Sequence, residues 1–130
     1  MGSILSIAAG ASAGALLRWR LATWLNPMLS GLPLGTLCAN LVGGYLVGVA
    51  VAFFAARPDL PPEWRLLAIT GFLGGFTTFS AFSAEVVENL ANGRTGFALA
   101  TVVLHVLGSL ALTALGIASY GWLQSAGAWR

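Results

Sequence analysis

The fold is decided by the stretch from Leu34 to Ala56, which reads LGTLCANLVGGYLVGVAVAFFAA and carries no charged side chain. A transmembrane helix needs about 20 predominantly apolar residues, so this stretch is long enough to cross a bilayer. Three further apolar segments surround it, at about residues 4–25, 66–90 and 96–123. We therefore predict an all-α membrane protein with one transmembrane domain over residues 1–130, built of four transmembrane helices.

The composition of the whole chain agrees with a bilayer environment. Hydrophobic residues make up 58% of the 130 residues and charged residues only 8%, whereas a soluble domain usually carries about 25% charged residues. The arginines are scattered singly, so no basic patch indicates nucleic-acid binding. The single cysteine, Cys38, has no partner with metal-ligand spacing, and no nucleotide-binding loop or catalytic constellation is visible. We expect membrane lipid as a partner and no enzymatic activity.

The distribution of arginines predicts dual topology, in which the chain inserts in both orientations. With four spans, one side of the membrane holds Arg57, Arg65 and Arg130, and the other holds Arg18, Arg20 and Arg94. Basic residues normally accumulate in the cytoplasmic loops and so set the orientation. This balance favours neither orientation, and two oppositely inserted copies would form an antiparallel homodimer. A small unseen bias that fixes one orientation is the alternative.

The third apolar segment contains a predicted helix break. Residues 71–85 read GFLGGFTTFSAFSAE, in which two glycines are followed closely by two threonines, a poor helix-forming combination. A break would free backbone carbonyls near the membrane middle, where only protein, water or an ion could satisfy them. Phe76, Phe79 and Phe82 are spaced three apart and share a face. These rings either pack as ordinary aromatic side chains or present a line of ring edges, whose partial positive charge can contact an anion weakly.

Polar residues inside the apolar segments are costly and therefore need a role. Asn40 lies on one face of the second segment, where it either packs between helices or donates to a ligand. The fourth segment contains a ladder with four-residue spacing that either lines a water-filled path or bonds back to its own helix; it comprises Thr101, His105, Ser109 and Thr113. We expect His105 to be a packing or vestibule residue.

Three stretches resemble the motifs of the Fluc-type bacterial fluoride channels, the CrcB family. These are residues 71–85, the stretch GALLR at 14–18, and the stretch GTLCANLVG at 35–43. The resemblance covers essentially the whole chain and implies a fluoride-selective channel of the bacterial inner membrane. It implies an antiparallel, dual-topology homodimer with two pores. Fluoride would leave the cell passively through these pores.

The resemblance also implies roles for individual residues. Phe79 and Phe82 match phenylalanines that line fluoride sites, and Asn40 matches an asparagine that donates to fluoride. Arg18 matches an arginine that draws anions toward a vestibule. The remaining expected pathway residues are hydroxyls along the ion path and a polar cluster near one end; they are Ser109, Thr113, Ser80, Ser83 and Glu85. Ala81 and the lack of a tyrosine near His105 depart from the family pattern.

The predicted break resembles a central sodium site. There the backbone carbonyls of Gly74 and Thr77 from two copies would surround one structural sodium ion. The main alternative to a fluoride channel is a proton-coupled exporter of the small multidrug-resistance type, which also has four helices and dual topology. Such exporters need a membrane-buried carboxylate, usually in the first helix, and the first segment here has none. A membrane assembly subunit that transports nothing is a third possibility.

Overall fold

A computed structural model describes residues 1–127 of the chain. Arg130, which entered the charge count above, lies outside these residues. The described residues form helices joined by short turns and contain no strand. The predicted all-α class is therefore confirmed.

Four long helical regions follow one another along the chain. Helix α1 covers Gly2–Leu25, α2 covers Leu34–Ala56 and α6 covers Thr95–Ser125. Between α2 and α6, a third span from Pro62 to Ala91 is divided into shorter pieces. These are α3 (Pro62–Arg65), a π-helical segment (Leu66–Leu73), α4 (Gly74–Phe76) and α5 (Phe79–Ala91). The third span begins four residues before the start expected from the apolar segment, because Pro62 is well suited to the first helical position.

Three of the four regions are long and apolar enough to cross a membrane: α2, the third span and α6. Helix α1 has 24 residues but is less apolar, because glycine, serine, alanine and two arginines replace larger apolar side chains. Many large apolar side chains on these helices are exposed, including Leu107, Leu110 and Val87. Such a surface suits lipid rather than water.

Helix α1 packs directly on the backbone of the third span because glycines remove the side chains between them. A methyl group at Gly14 would lie 2.7 Å from the backbone nitrogen of Phe76, and one at Gly75 would lie 2.5 Å from the carbonyl oxygen of Ala11. Either distance is too short for a real carbon contact. Gly10 and Gly14 on α1, and Gly71 and Gly75 on the third span, are each four residues apart and allow close helix packing, as small residues do in membranes.

The connection between α1 and α2 fixes where α2 begins. The side-chain oxygen of Asn26 accepts hydrogen bonds from the backbone nitrogens of Gly35 (2.8 Å) and Thr36 (3.2 Å). These nitrogens belong to the first turn of α2, which has no intrahelical partner for them. At the same end of the molecule, Asn89 of α5 donates to the carbonyl oxygen of Gly31 at 2.8 Å. The loop thereby links the start of α2 to α5, the last part of the third span.

Candidate functional site at the interrupted third span

The third span loses its helical conformation at Thr77 and Thr78. Thr77 has φ −85° and ψ 159°, and Thr78 has φ −152° and ψ 119°, both extended conformations. Helix α5 restarts at Phe79, where the hydroxyl oxygen of Thr78 accepts a hydrogen bond from the Ala81 nitrogen at 3.1 Å. Threonine is a favoured residue at this capping position. The second threonine therefore caps the start of α5, and only Thr77 and Thr78 lie between α4 and α5.

Asn40 takes the place of the backbone partners that Thr78 has lost. Its side-chain oxygen accepts from the Thr78 nitrogen at 2.7 Å, and its amide nitrogen donates to the Thr78 carbonyl oxygen at 2.9 Å. The same amide nitrogen lies 2.9 Å from Nδ1 of His105. An amide has two donor hydrogens, so both are engaged in this structure. The structure thus shows Asn40 as a clamp on the extended segment.

The hydrogen bonds around the extended segment leave several backbone carbonyl oxygens without a donor. The Gly75 carbonyl accepts from Nε of Arg18 at 3.1 Å, and the Leu73 carbonyl accepts from Thr77. Within residues 1–127, no hydrogen bond reaches the carbonyl oxygens of Gly74 and Thr77. Unwound carbonyls of this kind coordinate sodium in membrane proteins. These two residues therefore fit a hard, oxygen-preferring cation.

His105 presents an unused donor beside the aromatic pair. Because an amide nitrogen can only donate, Nδ1 of His105 must accept from Asn40, which places the ring proton on Nε2. Nε2 is buried and has no hydrogen-bond partner among the described residues. The imidazole stacks on Phe82 with ring centres 4.8 Å apart, and Phe82 meets the ring of Phe79 edge-on at 5.3 Å.

The two phenylalanines have very different surroundings in the single chain. Phe82 is only 7% exposed, whereas Phe79 is 77% exposed. Both line a cavity of about 480 Å³ together with Asn40, His105 and Ser109. None of the described residues that line this cavity is an arginine, aspartate or glutamate. Its polar groups are therefore neutral.

The hydroxyls of the α6 ladder bond mainly to α2. Ser109 donates to the Asn40 carbonyl oxygen at 3.4 Å and Thr113 donates to the Gly44 carbonyl oxygen at 2.9 Å, while Thr101 bonds within α6. A hydroxyl has one hydrogen to donate, so Ser109 and Thr113 would have to turn away from α2 to donate to an anion. Breaking the longer hydrogen bond of Ser109 would cost less free energy than breaking that of Thr113.

The expected cluster of Ser80, Ser83 and Glu85 is not linked by hydrogen bonds among its members. The hydroxyl of Ser80 lies 3.2 Å from that of Thr78, and Ser83 donates to the carbonyl oxygen of Phe79 in its own helix. Glu85 instead accepts a hydrogen bond of 2.5 Å from the hydroxyl of Thr36 on α2. Its other carboxylate oxygen is buried and has no partner in the described part of the chain.

Comparison with known proteins places the chain in a family. The model of the family described as "CrcB-like protein, Camphor Resistance (CrcB)" matches residues 5–117.

The chain belongs to the CrcB family.

Its relatives carry the name "Fluoride-specific ion channel FluC". The relative from Pseudomonas aeruginosa (strain UCBPP-PA14) is 60% identical over 121 residues, covering 93% of this chain and 95% of the relative. The relative from Chromobacterium violaceum is 62% identical over 122 residues, covering 94% and 97%. That from Tolumonas auensis is 58% identical over 122 residues, covering 94% and 96%.

The CrcB-family chain also contains three side-chain pairings that the sequence reasoning missed. Thr36 binds Glu85, Asn40 holds Thr78, and Arg18, expected only at a vestibule, binds the Gly75 carbonyl of the broken span. One signal was available for the first: a carboxylate inside a membrane helix needs a partner, and Thr36 lies one turn before Asn40 on the same helix face. The other two pairings join residues 38 and 57 positions apart in the chain, which no spacing rule connects.

Proposed function

We propose that this chain is a fluoride-selective channel that lets fluoride leave the cell passively across the bacterial inner membrane. Membership of the CrcB family and the printed name of its relatives support this function. The observation that carries it is the cavity beside the interrupted span. That cavity offers neutral donors and the positive edges of aromatic rings but no charged side chain among its described lining residues.

Neutral donors suit the conduction of a small, strongly hydrated anion. Binding must be favourable enough for the ion to enter and weak enough for it to leave. The unused Nε2–H of His105 can donate at once, while Asn40 and Ser109 can exchange internal hydrogen bonds for bonds to the ion. Each bond from Asn40 or Ser109 to the ion replaces an internal hydrogen bond, and only the His105 donor has none to give up, so the net attraction stays small. The membrane potential then drives the ion outward with about 2.3 kcal/mol per elementary charge per 100 mV.

The working unit in this proposal is an antiparallel homodimer with two pores. Phe79 supports it, because a large apolar ring that is 77% exposed beside a neutral polar cavity is suited to contact a second copy. The balanced arginine count supports insertion in both orientations. Helix α1 acts as the fourth span, since its backbone packs on the third span along Gly10 and Gly14.

A structural sodium ion is the remaining part of the proposal. The carbonyl oxygens of Gly74 and Thr77 from two copies would hold it, and their lack of donors within the described residues supports this assignment. The ion would supply positive charge to satisfy carbonyls that water cannot reach inside a bilayer. The sodium ion has only this structural role, and the side chains of the protein bind and conduct fluoride.

The two rival functions have less support. A proton-coupled exporter of the small multidrug-resistance type needs a carboxylate in its first helix, and α1 contains neither aspartate nor glutamate. Glu85 lies late in the third span and is already bonded to Thr36. A proton gradient that drives uptake of a cationic dye would favour the exporter. An assembly subunit would move no ion when purified alone.

The test is fluoride efflux from liposomes that contain only this protein, with chloride as the control ion. We expect rapid fluoride flux and little chloride flux. Phe79→Ile and Asn40→Ala should each slow fluoride flux strongly, whereas Leu90→Ile, an exposed change on the same helix as Phe79, should not. Fluoride flux that is undiminished in both pathway variants would refute the site assignment.

Orientation is tested separately with a single reporter cysteine. Gly96→Cys lies at an exposed position with no atom in the way, in a background where Cys38 is replaced by serine. Dual insertion predicts that an impermeant thiol reagent added on one side of intact cells labels only about half of the molecules. Labelling of nearly all or nearly none would exclude the antiparallel dimer.

A further inference from the structure

Arg18 makes the one side-chain hydrogen bond from α1 to the third span among the described residues. Its Nε donates to the carbonyl oxygen of Gly75 at 3.1 Å. In a regular helix that carbonyl would accept from the nitrogen of Phe79, four residues later. The extended conformation of Thr77 and Thr78 removes that partner. Arg18 therefore replaces a hydrogen bond that the helix break has eliminated.

The packing of α1 explains why Arg18 can reach this carbonyl. Arg18 lies four residues after Gly14, so both residues are on the same face of α1. Gly14 is the point where α1 approaches the backbone of α4, with a methyl group there lying 2.7 Å from the Phe76 nitrogen. An arginine side chain leans toward the start of its helix and so covers this contact.

The hydrogen bond from Arg18 to the Gly75 carbonyl affects which backbone carbonyls at the break can bind a cation. Gly75 lies between Gly74 and Thr77, whose carbonyl oxygens have no donor among the described residues. A carbonyl that accepts from a guanidinium lies beside a positive charge, which repels a second cation from its remaining lone pair. Since a guanidinium stays charged in proteins, this repulsion does not depend on pH. Arg18 thus makes the Gly75 carbonyl unavailable to a cation at the break and fixes the backbone on either side of Gly75.

We propose that Arg18 is a positioning residue that holds Gly75 so that the carbonyls of Gly74 and Thr77 can bind the structural sodium ion. This inference rests on the sodium site of the proposed function. It differs from attraction of anions toward a vestibule, the role that the resemblance implied for Arg18. Attraction depends on charge alone and acts on fluoride, whereas positioning depends on one hydrogen bond and acts on sodium.

Arg20 provides a matched control on the same helix. It carries the same charge two residues away, but its guanidinium lies 4.7 Å from the centre of the Trp24 ring, and no hydrogen bond among the described residues joins it to the break. Arg18→Gln and Arg20→Gln therefore remove equal charge, and only the first removes the bond to Gly75.

The experiment measures sodium binding through thermal unfolding of the purified protein in detergent. Sodium chloride replaces N-methylglucamine chloride at constant ionic strength, because a ligand that binds only the folded state raises Tm as its concentration rises. We expect wild type and Arg20→Gln to share one sodium concentration for half of the stabilisation. Arg18→Gln should need roughly tenfold more sodium, which corresponds to about 1.4 kcal/mol.

Fluoride efflux then separates this inference from the proposed function. High sodium should restore flux in Arg18→Gln, whereas attraction of anions predicts reduced flux at low fluoride in both variants whatever the sodium concentration. Equal sodium requirements in the two variants would overturn the inference while wild-type fluoride flux still supports the channel. Wild-type flux without any sodium-dependent stabilisation would overturn the sodium site and the inference together, and leave the channel function standing.

Arg18→Lys keeps the measurement decisive if Arg18→Gln does not fold. Lysine retains the charge but replaces the planar Nε–H with a flexible ammonium group. A sodium requirement raised severalfold supports positioning, and a wild-type requirement overturns it.

Discussion

Replacing Asn40 with alanine removes three hydrogen bonds at the helix break in one step. The side chain bonds to the Thr78 nitrogen at 2.7 Å, to the Thr78 carbonyl at 2.9 Å and to His105 at 2.9 Å. Alanine leaves both backbone groups of Thr78 without a partner. Each unsatisfied group costs about 1–3 kcal/mol when buried, so the sum is about 2–6 kcal/mol. Because Asn40 and Thr78 are only partly buried in the single chain, we expect about 3 kcal/mol.

Hydrogen exchange at the Thr78 amide measures this loss directly. A loss of about 3 kcal/mol corresponds to exchange that is roughly 100-fold faster, since each 1.4 kcal/mol is a factor of ten. Mass spectrometry of deuterated peptides that cover residues 77–81 provides the readout, and fluoride efflux is followed in parallel. Asn92→Ala is the matched control, because Asn92 makes a single exposed bond to a carbonyl of its own helix.

The comparison separates two roles for Asn40. A clamp predicts faster exchange at Thr78 together with slow flux. Exchange in Asn40→Ala that stays within twofold of the Asn92→Ala control, combined with lost flux, would refute the clamp and leave Asn40 as an anion ligand only. Asn40→Asp adds a further check, because it keeps the acceptor for the Thr78 nitrogen but loses both donors.

Three further changes have definite expected outcomes. Gly14→Ala should reduce the yield of folded protein, since its methyl group would collide with the backbone of the third span, whereas Gly96→Ala, with open space around it, should not; size-exclusion chromatography compares the two. Phe79→Ala should abolish fluoride efflux, whereas Leu90→Ala, another change at an exposed position of α5, should leave it close to wild type; wild-type efflux in Phe79→Ala would contradict this. Thr36→Val should destabilise the fold by about 1.5–3 kcal/mol in denaturant titrations, because it removes a hydrogen bond to the Glu85 carboxylate. Thr36→Ser retains the hydroxyl and should lose less than half as much, and equal losses would show that the hydrogen bond is not the cause.

Local sequence signals were sufficient where a property depends on neighbouring residues. The uncharged stretch Leu34–Ala56 predicted a helix with the same bounds that the structure shows. Glycines at four-residue spacing are typical of close helix packing in membranes, and Gly14 and Gly75 make such a contact between α1 and the third span. Both inferences follow from side-chain size and hydropathy, which act within one or two helical turns.

The hydrogen-bond partners of the polar residues were not predictable in the same way. Asn40 was expected to bond between helices or to bind an ion, and the structure shows it clamping Thr78. The ladder hydroxyls were expected to bond to their own helix or to line a path, yet Ser109 and Thr113 donate to α2. The direction of a single donor hydrogen depends on which carbonyl another helix places within 3 Å.

The sequence by itself therefore determined that the chain is a helical membrane protein and where its apolar segments lie, and it predicted an interruption in the third, because hydropathy and helix propensity are properties of short segments. Only the tertiary structure decided that Arg18 and Asn40 hold the two sides of that interruption and that Phe79 remains uncovered. Those outcomes depend on the relative depth and rotation of packed helices, which many weak contacts along the whole chain fix together.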